Sequence, residues 1–188
     1  PPLGRNDGYR WDGYLCDPLY PRPVELHTQL WETGWRGLRV RNLPDLWADA
    51  PTRAVAGARK RGAPMQVLSD ENTLIHLSMH FAGHWIERAA RLNQLLDLAR
   101  FAAQTAATLD WEMVLARSTA AGVARFVYAA LFLARAVFAS PLPPDAVWQQ
   151  FSRACPPGLR RYLAERGPED VLTSDYRRLQ HHFEALRG

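Results

Sequence analysis

The stretch from Ser69 to Gln104 constrains the fold of this 188-residue chain more than any other. Its apolar residues recur three and four positions apart, which is the period of an α-helix. Ser69 is a favourable N-cap residue, and Asp70 and Glu71 suit the positive end of a helix dipole. We therefore predict two helices in the core of the protein, one beginning at Ser69 and the other covering about 86–107.

Three histidines form the one polar row of the first predicted helix. His76, His80 and His84 are four residues apart, so they share a face, and two imidazoles at this spacing could bind one metal ion. No cysteine lies nearby in the sequence, and the Glu that follows the first His of helical metalloproteases is absent. In the alternative interpretation the histidines hydrogen-bond within a helical bundle or face a cleft.

The second predicted helix has a polar face that contains the next candidate, Asp97. Asn93, Arg100 and Gln104 share this face. A surface ion pair with Arg100, worth a few tenths of a kcal/mol, would account for an aspartate at position 97 without a role in binding or catalysis. Alternatively, Asp97 orients a histidine of the preceding helix.

Upstream, apolar and polar residues alternate from Val24 to Trp31, a pattern that predicts a strand with one buried face. Glu25 and His27 then lie on the other face. A carboxylate next to an imidazole can hold a divalent cation or move a proton, although a solvated strand face has the same pattern. Further on, two short apolar segments flank the basic turn Gly57–Gly62, which predicts a hairpin.

The predicted fold class is α+β. A small antiparallel or mixed sheet remnant with a hairpin would occupy residues 1–68, and a predominantly helical bundle would occupy residues 69–188. Capping residues and proline positions predict four later helices, and the almost entirely apolar segment 123–139 should be the central one. The four segments are 110–121, 123–139, 145–154 and 159–166.

The cysteine content, hydrophobicity and charge of the chain bear on its compartment and on whether it spans a membrane or binds nucleic acid. Two cysteines, Cys16 and Cys155, do not form a disulfide framework, so we expect a cytoplasmic protein. The most apolar segment carries Arg125 and Arg135, which favours a buried helix over a membrane span. The net charge of +4 is spread over scattered basic residues without interleaved aromatic residues, so nucleic-acid binding is not indicated.

Several stretches together resemble a bacterial family of uncharacterised nucleotidyltransferases in the polymerase-β-like superfamily. The resemblance extends over about residues 20–145, and the order and spacing of the stretches agree as well as their residues. The stretches are Val24-Glu-Leu-His-Thr-Gln-Leu-Trp31, the helix-forming segment 67–84, Leu95-Leu-Asp-Leu-Ala-Arg100, Ala130-Leu-Phe-Leu-Ala-Arg135 and Pro141-Leu-Pro143.

The resemblance implies metal-dependent transfer of a nucleotidyl group from a nucleoside triphosphate to an acceptor that it does not identify. Mg²⁺ or another divalent cation would be the cofactor. Glu25 would match the third metal-binding carboxylate, with His27 beside it as a catalytic residue. His80, His84 and Asp97 would face the substrate.

The sequence departs from the family pattern in one respect. These 188 residues contain neither the Gly-Ser segment nor the Asp-x-Asp pair expected upstream of the Glu25 strand. Asp7, Asp12 and Asp17 are five residues apart, which does not place two carboxylates side by side on one strand face. Either the pair is supplied upstream, or the protein is a catalytically inactive helical module that binds a substrate or a partner protein.

Overall fold

The structure, a computed structural model, describes residues 49–54, 64–86 and 92–165, together with four short strand segments between residues 5 and 25. Six α-helices account for most of the described residues. They are α1 (Asp70–Ile86), α2 (Leu92–Thr105), α3 (Trp111–Ala120), α4 (Ala124–Phe138), α5 (Asp145–Ala154) and α6 (Pro157–Glu165).

The first helix begins where the sequence predicts. The backbone N–H of Asn72 donates a hydrogen bond to the Ser69 hydroxyl at 3.3 Å, so Ser69 caps α1. Leu74, Met79 and Phe81 are buried on this helix. Because α1 packs against α2, α3 and α4, it is apolar over most of its circumference.

Helix α4 is the centre of the bundle, as predicted. It contacts α1, α2, α3, α5 and α6, and nine of its residues are buried, among them Phe126 and Leu131. Within the described part of the chain, no helix is both long enough and apolar enough to cross a membrane.

The turn between α3 and α4 follows from one glycine. Asp110 caps α3 by accepting a hydrogen bond from the Met113 N–H at 3.0 Å. At the other end, Gly122 adopts a left-handed φ of 72°, which lets the N–H of Val123 reach the Ser118 carbonyl at 2.7 Å. This arrangement ends α3 and lets α4 begin two residues later.

The predicted α+β class, with its sheet remnant and hairpin, is wrong: the described core is formed by helices alone. All of its buried apolar residues lie between Leu74 and Leu163. Among the described residues, strands pair only two by two, as separate antiparallel ribbons, and do not assemble into a sheet. The ribbons are β1 (Arg5–Asn6) with β2 (Tyr9–Arg10), β3 (Tyr14–Asp17) with β4 (Tyr20–Glu25), and β5 (Thr52–Ala54) with β6 (Pro64–Gln66).

The physical reason for this error is that alternation of apolar and polar residues indicates an extended segment but not how many strands pair with it. Residues 26–31 of the predicted strand and the basic turn at 57–62 lie outside the described residues. Residues 42–48, where Asn42 and Pro44 predict the start of a short helix, and the amphipathic tail at 170–186 also lie outside the described residues.

Candidate functional site

The three histidines of α1 lie side by side. The ring centroids of His76 and His80 are 6.0 Å apart in a stacked arrangement, and those of His80 and His84 are 4.5 Å apart, edge to face. His80 is exposed, whereas His76 and His84 are half-buried. The four-residue spacing thus produces a continuous row of imidazoles along one side of α1, a helix that otherwise packs largely against the core.

His84 lies at the C-terminal end of the row, in the last turn of α1. Its Nδ1 atom is buried and has no hydrogen-bond partner within the described ranges. The preceding turn of the same helix carries buried Phe81, whose ring packs edge to face against Trp85 at 5.0 Å. Packing of these neighbours therefore fixes the local backbone, and a nitrogen of the His84 ring is left with unused hydrogen-bonding capacity.

The histidine row does not fit a magnesium ion. Mg²⁺ prefers oxygen ligands, whereas imidazoles suit zinc, copper, iron and nickel. Within the described residues, no group of three or more His, Cys, Asp or Glu side chains is arranged to hold any metal ion. Imidazole N–H groups can, however, donate hydrogen bonds to the oxygens of a phosphate. Hydrogen bonding to phosphate is therefore a chemistry that the row offers, and substrate binding by His80 and His84 stays a prediction.

Asp97 is exposed on α2. Its described contacts include no hydrogen bond or ion pair with Arg100 or with a histidine, so neither explanation of this residue is realised among the described residues. Asn93, Arg100 and Gln104 are exposed as well, which confirms the predicted polar face. The role of Asp97 in substrate binding remains a prediction.

Glu25 is the last residue of β4 and is paired in register with Tyr14 of β3. Only its backbone placement is described, and His27 lies outside the described residues. A carboxylate oxygen is a ligand type that Mg²⁺ accepts, so the chemistry of Glu25 fits this cofactor. The structure therefore leaves the metal-binding role of Glu25 and the catalytic role of His27 as predictions.

A polar cluster that the sequence analysis missed joins the segment before β5 to the helical bundle. The Asn72 side chain, 1% exposed, donates to Asp49 at 3.1 Å and accepts from Arg117 at 2.8 Å. Arg117 also forms an ion pair with Asp49 at 2.6 Å. The cluster therefore positions the chain upstream of β5 against α1 and α3.

A sequence signal for this cluster exists. Asn72 precedes buried Ile75 by three residues and buried Met79 by seven. Helical spacing therefore places a polar amide on the apolar side of α1, where it must find hydrogen-bond partners. Its partners, Asp49 and Arg117, are 23 and 45 residues away in sequence, so they could not be identified from the pattern alone.

The chain matches one protein-family model, described as uncharacterised nucleotidyltransferase, over residues 5–139. The matched range includes β4, the histidine row and Asp97. No curated protein and no solved structure matches the chain.

Proposed function

Because the chain belongs to the uncharacterised nucleotidyltransferase family, we propose that it transfers a nucleotidyl group from a nucleoside triphosphate to an acceptor in a Mg²⁺-dependent reaction. The observation that carries the proposal is the extent of the family match, which spans both the segment with Glu25 and the helix with the histidines. The histidine row lies on α1, which packs against α2, α3 and α4.

The reaction is a displacement at the α-phosphorus of the triphosphate. An acceptor oxygen forms a bond to that phosphorus, the bond to the α–β bridging oxygen breaks, and pyrophosphate leaves with the electron pair. The acceptor loses its proton to a base. Bound divalent cations supply neutralisation of phosphate charge and activation of the attacking oxygen in such reactions.

Each predicted site residue has a role in this reaction. Glu25 would hold Mg²⁺ through its carboxylate, and His27 would receive the acceptor proton, for which an imidazole is suited near neutral pH. His80 and His84 would donate hydrogen bonds to the substrate. The histidine row supports this assignment because its rings adjoin and His80 is exposed. Asp97 would complete the binding site from α2.

The test is pyrophosphate release by the full-length protein, measured with each of the four common nucleoside triphosphates and Mg²⁺. We expect release that chelation abolishes and that Glu25→Gln reduces by about 100-fold or more, as for the loss of a group that stabilises transition-state charge. Glu112→Gln is the matched control, because Glu112 is exposed on α3. Equal silence of wild type and Glu25→Gln would contradict the proposal.

A second candidate function is a binding module without catalysis. The lack of an Asp-x-Asp pair in these 188 residues favours it. Such a module would retain a partner protein or substrate on the helical bundle without turning over a nucleotide. Calorimetric titration separates the two functions, because tight, metal-dependent triphosphate binding that requires Glu25 supports the enzyme and counts against the module.

A further inference from the structure

Two arginines at the starts of different helices lie near one buried residue, Cys155. Arg125 is the second residue of α4, and Arg160 lies in the first turn of α6. Helices α4 and α6 are in contact, and both guanidinium charges are close enough to Cys155 to favour its ionised form. The two cations therefore share one end of the bundle.

Neither arginine has a carboxylate partner among the described residues. Both side chains are half-buried, and the Nε atom of each is buried without a hydrogen-bond partner in this part of the chain. Among the described residues, the Arg160 guanidinium donates one long hydrogen bond of 3.5 Å to the Ser152 hydroxyl, and the Arg125 guanidinium lies 5.2 Å from the centroid of the Phe126 ring. Partly buried charge without an opposite charge is unfavourable, so the arrangement calls for an anion.

The surroundings increase the positive potential. The first turns of α4 and α6 contain no acidic residue, although the N-terminus of a helix favours negative charge. Burial raises the pKa of Cys155 to about 12, so the thiol is neutral at physiological pH and cannot balance the arginines. Burial also lowers the pKa of Arg125, because it removes water from around the guanidinium charge.

We propose that Arg125 and Arg160 form a binding site for a phosphate-bearing anion between the first turns of α4 and α6. Arginine suits this ligand because its planar guanidinium offers paired N–H donors that match two phosphate oxygens. Ser152, at the last turn of α5, helps to hold the Arg160 side chain in place. The site rests on contacts among α4, α5 and α6 and not on the family match, so it does not depend on the proposed nucleotidyl transfer.

Calorimetric titration of the full-length protein with inorganic pyrophosphate, without metal, tests the site. Arg125→Gln and Arg160→Gln should each weaken binding by roughly tenfold or more, because each removes charge-assisted hydrogen bonds. Arg161→Gln is the matched control: Arg161 neighbours Arg160 but is exposed, so its loss should change the affinity by less than about twofold. Melting temperatures identify any variant that is unfolded.

Two further probes distinguish the sources of the phosphate. If ATP competes with pyrophosphate and ribose 5-phosphate does not, the ligand is a nucleotide; the reverse indicates a phosphorylated sugar, and both results support the site. No binding by wild type, or equal affinity in wild type and Arg160→Gln, overturns the proposal. Because this titration contains no metal and measures no transfer, failure of the proposed transfer would leave its result unchanged.

Discussion

Replacement of Asn72 by alanine should destabilise the protein more than its single amide suggests. The side chain is 1% exposed, and its described contacts include a hydrogen bond with Asp49 and one with Arg117. Hydrogen bonds to charged groups contribute about 1.5–3 kcal/mol each. The side chains of Arg117 and Asp49 are 22% and 42% exposed, so water can solvate them once Asn72 is replaced. The lower end of that range, about 1.5 kcal/mol per hydrogen bond, therefore applies.

Two such bonds give about 3 kcal/mol, and the better helix propensity of alanine returns about 0.5 kcal/mol, so the expected loss is about 2.5 kcal/mol. For a chain of this size, that corresponds to a decrease in melting temperature of about 5–10 °C. The hydrogen bond from the Asn72 backbone to Ser69 is not affected by the substitution.

Thermal unfolding followed by circular dichroism measures this effect. Asn93→Ala is the matched control, because it makes the same substitution at an exposed position in the first turn of α2. It should change stability by no more than about 0.5 kcal/mol. The reasoning is refuted if Asn72→Ala and Asn93→Ala melt within about 1 °C of each other, or if Asn72→Ala and Asp49→Ala are additive when combined.

Two further predictions concern Cys155 and the helix ends. In the folded protein the pKa of Cys155 is raised to about 12, above the ordinary value of 9.0, so the unfolded chain loses this proton first as pH rises. Deprotonation of Cys155 should therefore lower the free energy of unfolding by about 1.4 kcal/mol per pH unit between pH 9 and 12. The free energy of unfolding of Cys155→Ala, measured in urea, should decline less steeply with pH than that of wild type. Identical slopes for the two proteins would contradict the raised pKa of Cys155. Gly122 and Ala139 both have left-handed φ values, 72° and 54°. In urea, Gly122→Ala should lose about 1 kcal/mol from backbone strain alone, since an added Cβ meets nothing within 4 Å, and Ala139→Gly should gain up to about 1 kcal/mol. Shifts of the same sign for both variants would refute this explanation.

The helical part of the fold was predictable because its signals are local. Ser69 and Asp110 cap helices, Gly122 ends one, and the prolines before Asp145 set the start of α5 at the predicted residue. Burial of individual residues was less predictable. Helical spacing places Leu92 on the same side of α2 as buried Leu95 and Ala99, but Leu92 is 53% exposed, because it is the first residue of the helix, where neighbours are few.

Long-range partners could not be read from the sequence. The row of histidines follows from their spacing, but the pairing of Asn72 with Asp49 and Arg117 depends on how three separate segments pack. The meeting of Arg125 and Arg160 near Cys155 depends likewise on the packing of α4 against α5 and α6. The sheet was predicted wrongly because alternation is a local pattern, whereas sheet assembly is not.

Transfer of label from a nucleoside triphosphate tests the central claim most directly. The full-length protein is incubated with Mg²⁺, a mixture of acceptors from cell extract, and triphosphate labelled at either the α- or the γ-phosphorus. Nucleotidyl transfer predicts label in the acceptor from the α position and none from the γ position, with neither in Glu25→Gln. Label from the γ position, or α label that is undiminished in Glu25→Gln, would contradict the account.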